Sequence, residues 1–268
     1  MKDEKINSKA GLTAYVASHT GRVRGNNEDN FTLNCISKKI EFQNVRFRQE
    51  LSQPVVAAVF DGMGGEANGE YASQIAATAA KELYKKVCGY SDCKVDALAN
   101  NFVTDANNKI RDFMEERHCN SGGSTVAAVV VKGGEAYPFS VGDSRIYLLR
   151  NGALHQISHD HTLAQRKVEA QIYTPEEAML SSDSHKLTLF LGVDRYKEGL
   201  DAENYEPVTM RSGDSLLLCS DGLYDELTKT EMERVFSEQP GDPAYALVKA
   251  AINNGGGDNV TCVVLNKN

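Results

Sequence analysis

The chain has no apolar run approaching the roughly 18 residues that carry a helix across a bilayer, so no membrane-spanning helix is expected. It has no CxxC pair among its six cysteines (35, 88, 93, 119, 219 and 262), and Cys88 and Cys93 find no matching pair elsewhere. This excludes the common zinc spacings, and 268 residues bury enough core to fold without disulfide staples. No block of lysine and arginine occurs, and the formal net charge is −8. Both argue against a nucleic-acid phosphate backbone as partner. GxGxxG and GxxxxGK[ST] are absent too, which removes the usual dinucleotide and nucleotide-phosphate loops. The opening MKDEKINSKAG is charged and lacks the apolar stretch of a signal peptide. With cysteines that read as reduced thiols, a cytoplasmic protein is expected. Cys35, Cys219 and Cys262 lie in apolar runs and are expected in the core.

What is present is an ordinary globular composition, 41% apolar and 25% charged. Residues 1–10 are polar and expected to be loose. Strand patterns occupy 12–18, 30–36, 54–60, 124–131, 136–141, 145–150, 214–220 and 259–265. The run PVVAAVF at 54–60 suits a strand covered on both faces. Apolar residues at 71, 75, 79, 83 and 87, then at 95, 98, 102, 106, 110 and 113, predict two successive long helices with a core-facing stripe each. Asn151-Gly152 fits a two-residue hairpin turn. Short helices are expected around 162–168 and 175–179, and longer ones over KTEMERVFSE and PAYALVKAAINN, the second stopped by Gly255-Gly256-Gly257. Strands, two helices, strands, then helices is an α+β order. The expected architecture is a single domain over 11–268, a central β-sandwich of two antiparallel sheets flanked by helices on both sides. The weakly patterned stretch at about 155–200 would be a flap near a site. His155, His159, His161 and His185 fall in it and read as polar-loop residues, and Tyr147 and Tyr224 read as packing residues.

Acidic residues recur where apolar strands meet glycine or asparagine: Glu28 and Asp29 in RGNNEDNF, Asp61 in VFDGMGG, Asp143 in SVGDSR, Asp221 in LLLCSDG and Asp258 in GGGDNVT. Singly, each has an account as a turn former or cap. Jointly they put carboxylates at the rim of a core. Four to six carboxylates gathered there would repel without a cation. Hard, oxygen-seeking ions such as Mg²⁺ or Mn²⁺ would resolve that repulsion. A pair of such ions roughly 3.5–4 Å apart is a hydrolytic arrangement for phosphate esters. Arg24 and Arg22 lie just before Glu28; Arg24 would grip a phosphate, and Arg22 reads as a solvated loop residue.

RGNNED, FDGMGG, GST, VGDSR, LLLCSDGLYD and GGGDNVT, in this order over about residues 11–266, resemble the metal-dependent serine/threonine protein phosphatases (the PPM or type 2C group), and their bacterial branch in particular. The resemblance implies hydrolysis of phosphoserine and phosphothreonine by a metal-bridging hydroxide. It implies two Mn²⁺ or Mg²⁺ ions, with Asp61 bridging. Asp221 and Asp258 would complete one ion's ligands, and Glu28 with the Gly62 carbonyl the other's. Asp29 would hold metal-bound water from behind, and Arg24 would bind the substrate phosphate. A third, weaker ion would use Asp143 with Asp221, assisted by Asp225. Where many eukaryotic relatives carry a histidine after Asp-Gly, this chain has Met63, so no side-chain acid stands there. Partners would be phosphorylated proteins, the substrates of a serine/threonine kinase, and the chain would act as a monomer with neither nucleic acid nor membrane. Two other readings are a catalytically silent phosphoprotein-binding relative and a phosphatase of small phosphoesters. Silence would call for lost ligands, and every matched position holds Asp or Glu.

Overall fold

The computed structural model describes residues 11–64, 68–89, 94–119, 122–194 and 200–268; the expectation for 1–10 and the connection near 90–93 lie outside them. In chain order the first strands are β1 (Leu12–His19), β2 (Asn30–Leu33), β3 (Ile36–Ser37), β4 (Val45–Leu51), β5 (Val55–Phe60) and β6 (Gly62–Met63). Helices α1 (Asn68–Gly89) and α2 (Val95–Glu116) follow, then β7 (Gly123–Ser124), β8 (Val126–Lys132), β9 (Glu135–Val141), β10 (Arg145–Arg150) and β11 (Ala153–Gln156). The stretch expected to form a flap holds α3 (Leu163–Glu169) and α4 (Pro175–Leu180), and then come β12 (Glu203–Asn204), β13 (Val208–Thr209), β14 (Ser215–Cys219), α5 (Asp221–Tyr224), α6 (Lys229–Glu238), α7 (Pro243–Asn254) and β15 (Val260–Lys267).

The strands build a sheet in the order β11-β10-β14-β15-β1-β4 and a second in the order β12-β9-β8-β5-β2-β3, with β13 also on β9 and β6 paired with β7. Among the described residues every pairing in both sheets is antiparallel. The strand period of two explains the continuous apolar runs. On β5, Val55, Ala57 and Val59 face the core between the sheets, while Val56, Ala58 and Phe60 face α1 and α2. On β14, Leu216 and Leu218 point between the sheets, and Leu217 and Cys219 point to α5–α7. Each such side chain leaves water completely, about 1.5–3 kcal/mol apiece for Val, Leu and Phe, so three apolar layers hold four layers of structure together. Among the described residues no helix is long and apolar enough to cross a membrane.

The structure departs from the pattern expectations at several points. Strand β4 was not anticipated; its charged residues Arg46, Arg48 and Glu50 are exposed along a sheet edge, alternating with half-buried Val45, Phe47 and Gln49. Of the stripe read for α1, Ala79, Leu83 and Val87 are buried and Tyr71 and Ile75 are half-buried; the covered face is wider than that stripe and takes in Ala72, Ala76 and Ala80. Small alanines let the helix lie close on the sheet, and Tyr71 instead meets Phe113 of α2 at 5.3 Å between ring centroids. Cys35 is exposed, because it sits in the turn between β2 and β3; Cys219 and Cys262 are buried as expected. His155 is not in the flap but on β11, exposed at the sheet edge.

Candidate active site

Antiparallel register gathers the acidic junctions. A strand's end lies beside its neighbour's start, so Asn30 opposite Phe60 sets the Glu28–Asp29 loop next to Asp61. Cys219 opposite Cys262 sets Asp221 next to the loop of Asp258, and Arg145 opposite Cys219 brings in the turn of Asp143. Strands β5 and β14 belong to opposite sheets and touch across the sandwich. The carboxylates of VFDG and LCSDG therefore face each other across the layers, not along one sheet. The result is a cleft of about 290 Å³ lined by Arg24, Glu28, Asp61, Gly62, Asp143 and Asp221 with Asp258 and Asn259.

Backbone and side-chain bonds fix each member. The Asp61 amide donates to Thr125 Oγ1 at 3.0 Å, and the Thr125 amide donates to the Asp61 carbonyl at 2.9 Å. Thr125 Oγ1 also meets Ser144 Oγ at 2.6 Å, beside Asp143. The Glu28 amide donates to Asn259 Oδ1 at 2.7 Å, and Asn259 Nδ2 donates to the carbonyls of Thr20 and Asn26 at 2.8 and 2.9 Å. Asn259 thus ties the loop of Glu28 to that of Asp258. Gly62 must be glycine: a Cβ there would lie 2.2 Å from the Gly69 carbonyl and 2.6 Å from that of Glu28. Ser73 Oγ, on the first turns of α1, donates to the Glu28 carbonyl at 2.5 Å. Arg24 Nη2 donates to Asp258 Oδ2 at 2.6 Å at the rim, while Arg22 is exposed and does not line the cleft.

Two of the expected residues stand back from the cleft. Asp29 is buried behind it and accepts from Ser220 Oγ at 2.8 Å. Lys38, only 3% exposed, donates from Nζ to the Asn27 carbonyl at 2.7 Å and is the cation facing Asp29. Asp225 sits on the outer side, its Oδ2 3.8 Å from His185 Nδ1 of the flap. Asn259, Thr125, Lys38 and Asn27 were not anticipated. They are uncharged or interior polar residues whose role appears only once the loops are folded together; Asn27, Thr125 and Asn259 lie inside RGNNED, GST and GGGDNVT, whereas Lys38 has no such local signal. Tyr224 does more than pack, since its hydroxyl donates to the Asp143 carbonyl at 3.0 Å beneath the Arg145 guanidinium.

The electrostatics are those of an uncompensated anionic cluster. Burial, then the charges of Asp221, Asp29 and Asp143, pushes Asp61 well above the usual carboxylate range. Burial and Asp221 do the same to Asp143. Asp221 is raised by burial and by Asp258, and Asp29 is raised by burial against the lowering effect of its Ser220 and Thr261 bonds. Asp225 is pushed up to about 6 by desolvation and by Asp221. Lone carboxylates do not gather this way without something to offset the cost. Carboxylates with a backbone carbonyl fit hard divalent cations, and among the described residues no cysteine lines the cleft to favour a soft one.

A stability measurement follows. Groups with raised folded pKa values bind more protons folded than unfolded above about pH 4, the unfolded carboxylate range. In chelator, the melting temperature should fall as pH rises from about 4 through about 6, where Asp225 titrates, and beyond as Asp61 and Asp143 ionise. Mn²⁺ should flatten or reverse that slope, because metal binding needs the ionised forms. A flat profile in chelator would contradict the clustered charges.

A profile of the family described as Protein phosphatase 2C matches residues 41–244. A serine/threonine phosphatase, stp, of Listeria welshimeri is 30% identical over 261 residues, which cover 96% of each chain. The serine/threonine protein phosphatase PstP of Mycobacterium tuberculosis is 35% identical over 254 residues, 92% of this chain and 43% of the longer relative. Among solved structures, the catalytic domain of PstP in complex with two manganese ions superposes with a TM-score of 0.75 at 30% identity, over 95% of this chain and 98% of that one. Stp1 of Staphylococcus aureus, at 23% identity and a TM-score of 0.79 over 99% of both chains, shares the fold. The layered sandwich, the acidic cleft at one end of it and a match running through most of the sequence agree, and the chain belongs to the protein phosphatase 2C family.

Proposed function

We propose that this metal-dependent serine/threonine protein phosphatase holds one Mn²⁺ or Mg²⁺ ion with Glu28, Asp61 and the Gly62 carbonyl, and a second with Asp61, Asp221 and Asp258. The observation that carries this assignment is the convergence of these groups on a single cleft beside an arginine, with Glu28, Asp61 and Asp221 each raised above the usual carboxylate range, chiefly by burial. When bound, such a pair of ions generates a nucleophile from water at neutral pH and draws charge from the phosphoryl oxygens. The chain's own residues do the rest. Arg24 at the rim presents a guanidinium fork to the phosphate, steered by its contact with Asp258. Asp29, buried and held by Ser220, orients solvent from behind the cleft. Asn259 and Thr125 hold the loops in register, so that the carboxylates approach the same point. Asp143 and Asp225 would serve a third, weaker ion with Asp221.

Phosphoserine and phosphothreonine side chains on proteins are the substrates of this reading, placed there by a serine/threonine kinase. The protein would act as a cytoplasmic monomer without nucleic-acid or membrane partners. The test is release of phosphate from a phosphothreonine peptide and from p-nitrophenyl phosphate, in EDTA and after Mn²⁺ or Mg²⁺ is restored. Turnover that returns with metal supports the reading, and no turnover with any divalent ion overturns it. Arg24→Ala should raise KM for the phosphopeptide about 10- to 100-fold with a smaller loss in kcat, and Arg24→Lys should recover part of it. An unchanged KM in Arg24→Ala would remove Arg24 from the phosphate site.

A further inference from the structure

The flap reaches the cleft through His185 and Leu187. His185 lies between Asp183, gripped by Lys167 and Lys186, and Leu187, which bridges to Thr162. The Leu163 amide donates to the Lys186 carbonyl at 2.9 Å and the Thr188 amide to the His161 carbonyl at 2.8 Å. His161 Nδ1 in turn accepts from the Gly142 amide at 2.9 Å, one residue before Asp143. The backbone on both sides of His185 is therefore fastened to the site's own frame, and its imidazole joins the cleft lining.

Ligand atoms of His185, Asp221 and Asp225 lie within 4.8 Å of one another. The His185–Asp225 separation of 3.8 Å is too long for a hydrogen bond. Two carboxylates and an imidazole whose ligand atoms come this close have the donor chemistry of a divalent transition-metal site. We propose that His185 is a ligand, carried by the flap, of an ion held between Asp221 and Asp225. This rests on the reading of the cleft as a metal centre and deepens it in two ways. The ligand set gains a nitrogen, and the flap becomes attached to α5 by the ion itself. Imidazole suits Zn²⁺ best, and Mn²⁺, though it favours oxygen, accepts a nitrogen donor more readily than Mg²⁺, which keeps to oxygen and water. The site should accordingly select Mn²⁺ over Mg²⁺, unlike the all-oxygen pair beside it.

The experiment uses the full chain with Mn²⁺, followed by calorimetry and by pulsed electron paramagnetic resonance. Wild type should bind two ions tightly and one more weakly, and filling the weak site should bring in the modulation of a directly bound imidazole nitrogen. His185→Gln should keep the two tight ions, weaken the third about tenfold or more, and lose the nitrogen signal. Mg²⁺ affinity at the weak site should change little. A nitrogen signal that survives in His185→Gln, or an equally tight third Mn²⁺, overturns the proposal. Wild type that binds two Mn²⁺ and no third also overturns it while leaving the two-ion site intact. Failure to bind any Mn²⁺ would instead remove the two-ion reading on which it stands.

Discussion

Asp61→Asn is expected to lower kcat/KM by at least about 10³-fold and, in the same protein, to raise the melting temperature measured in chelator. Both effects come from the same charge. Asp61 ends an apolar strand whose side chains are wholly buried, and three other aspartates act on it. Without a cation its ionised form is costly, and the isosteric amide removes that cost. The backbone bonds that seat it, both to Thr125, do not involve the carboxylate and survive the change. The fold should therefore persist while the shared ligand of the two ions is lost. Adding Mn²⁺ should then reverse the order of stability. Wild type gains by mass action from ions that bind only the folded state, and the variant gains less. Two melting curves in chelator and two in Mn²⁺, with phosphate release on the same samples, test the whole chain of reasoning. Wild-type rates in the variant would sink the assignment. Equal melting temperatures in chelator would sink the claim that the cluster is frustrated.

How much of this was legible before the structure depended on where each residue's partners lie. Strands β5 and β14 were readable because both of their faces are covered, so burial is written in every position of PVVAAVF and SLLLC. Strand β4 carries the opposite signal. Its outward residues Arg46 and Arg48 are charged, as suits an edge that must not pair with another chain. Val45, Phe47 and Leu51 mark the alternation that would have revealed it. The two-residue strands β12 and β13 exist only as additions to the edge of β9, a tertiary fact with no local pattern. The carboxylates were readable because each follows or precedes an apolar strand. That they meet across two different sheets was not, since register and layer are set by pairings between distant segments. Lys38 is the clearest case. As a lysine in SKK it reads as surface, yet it is buried because Asp29 and the Asn27 carbonyl await it.

Asp221→Asn should match the Asp61 variant in its loss of turnover, about 10³-fold or more, but for a different reason and with a different metal count. Asp221 is the first residue of α5, just after β14, and its charge raises Asp61, Asp143 and Asp225 alike. It is the electrostatic centre of the cluster. Its replacement leaves Glu28, Asp61 and the Gly62 carbonyl in place, so one tight ion should remain where wild type holds two. Asp225, relieved of its neighbour's charge, should titrate below its wild-type value of about 6 in metal-free protein. Carboxyl-carbon NMR titration reads that shift directly, and calorimetry with Mn²⁺ reads the stoichiometry. Two ions retained with wild-type affinity would take Asp221 out of the ligand set. An unmoved Asp225 would mean that desolvation, the largest of its causes, and not the charge of Asp221, raises its pKa. A single remaining ion together with a lowered Asp225 would show that one side chain both completes the metal pair and sets the charge that the outer part of the cleft must offset.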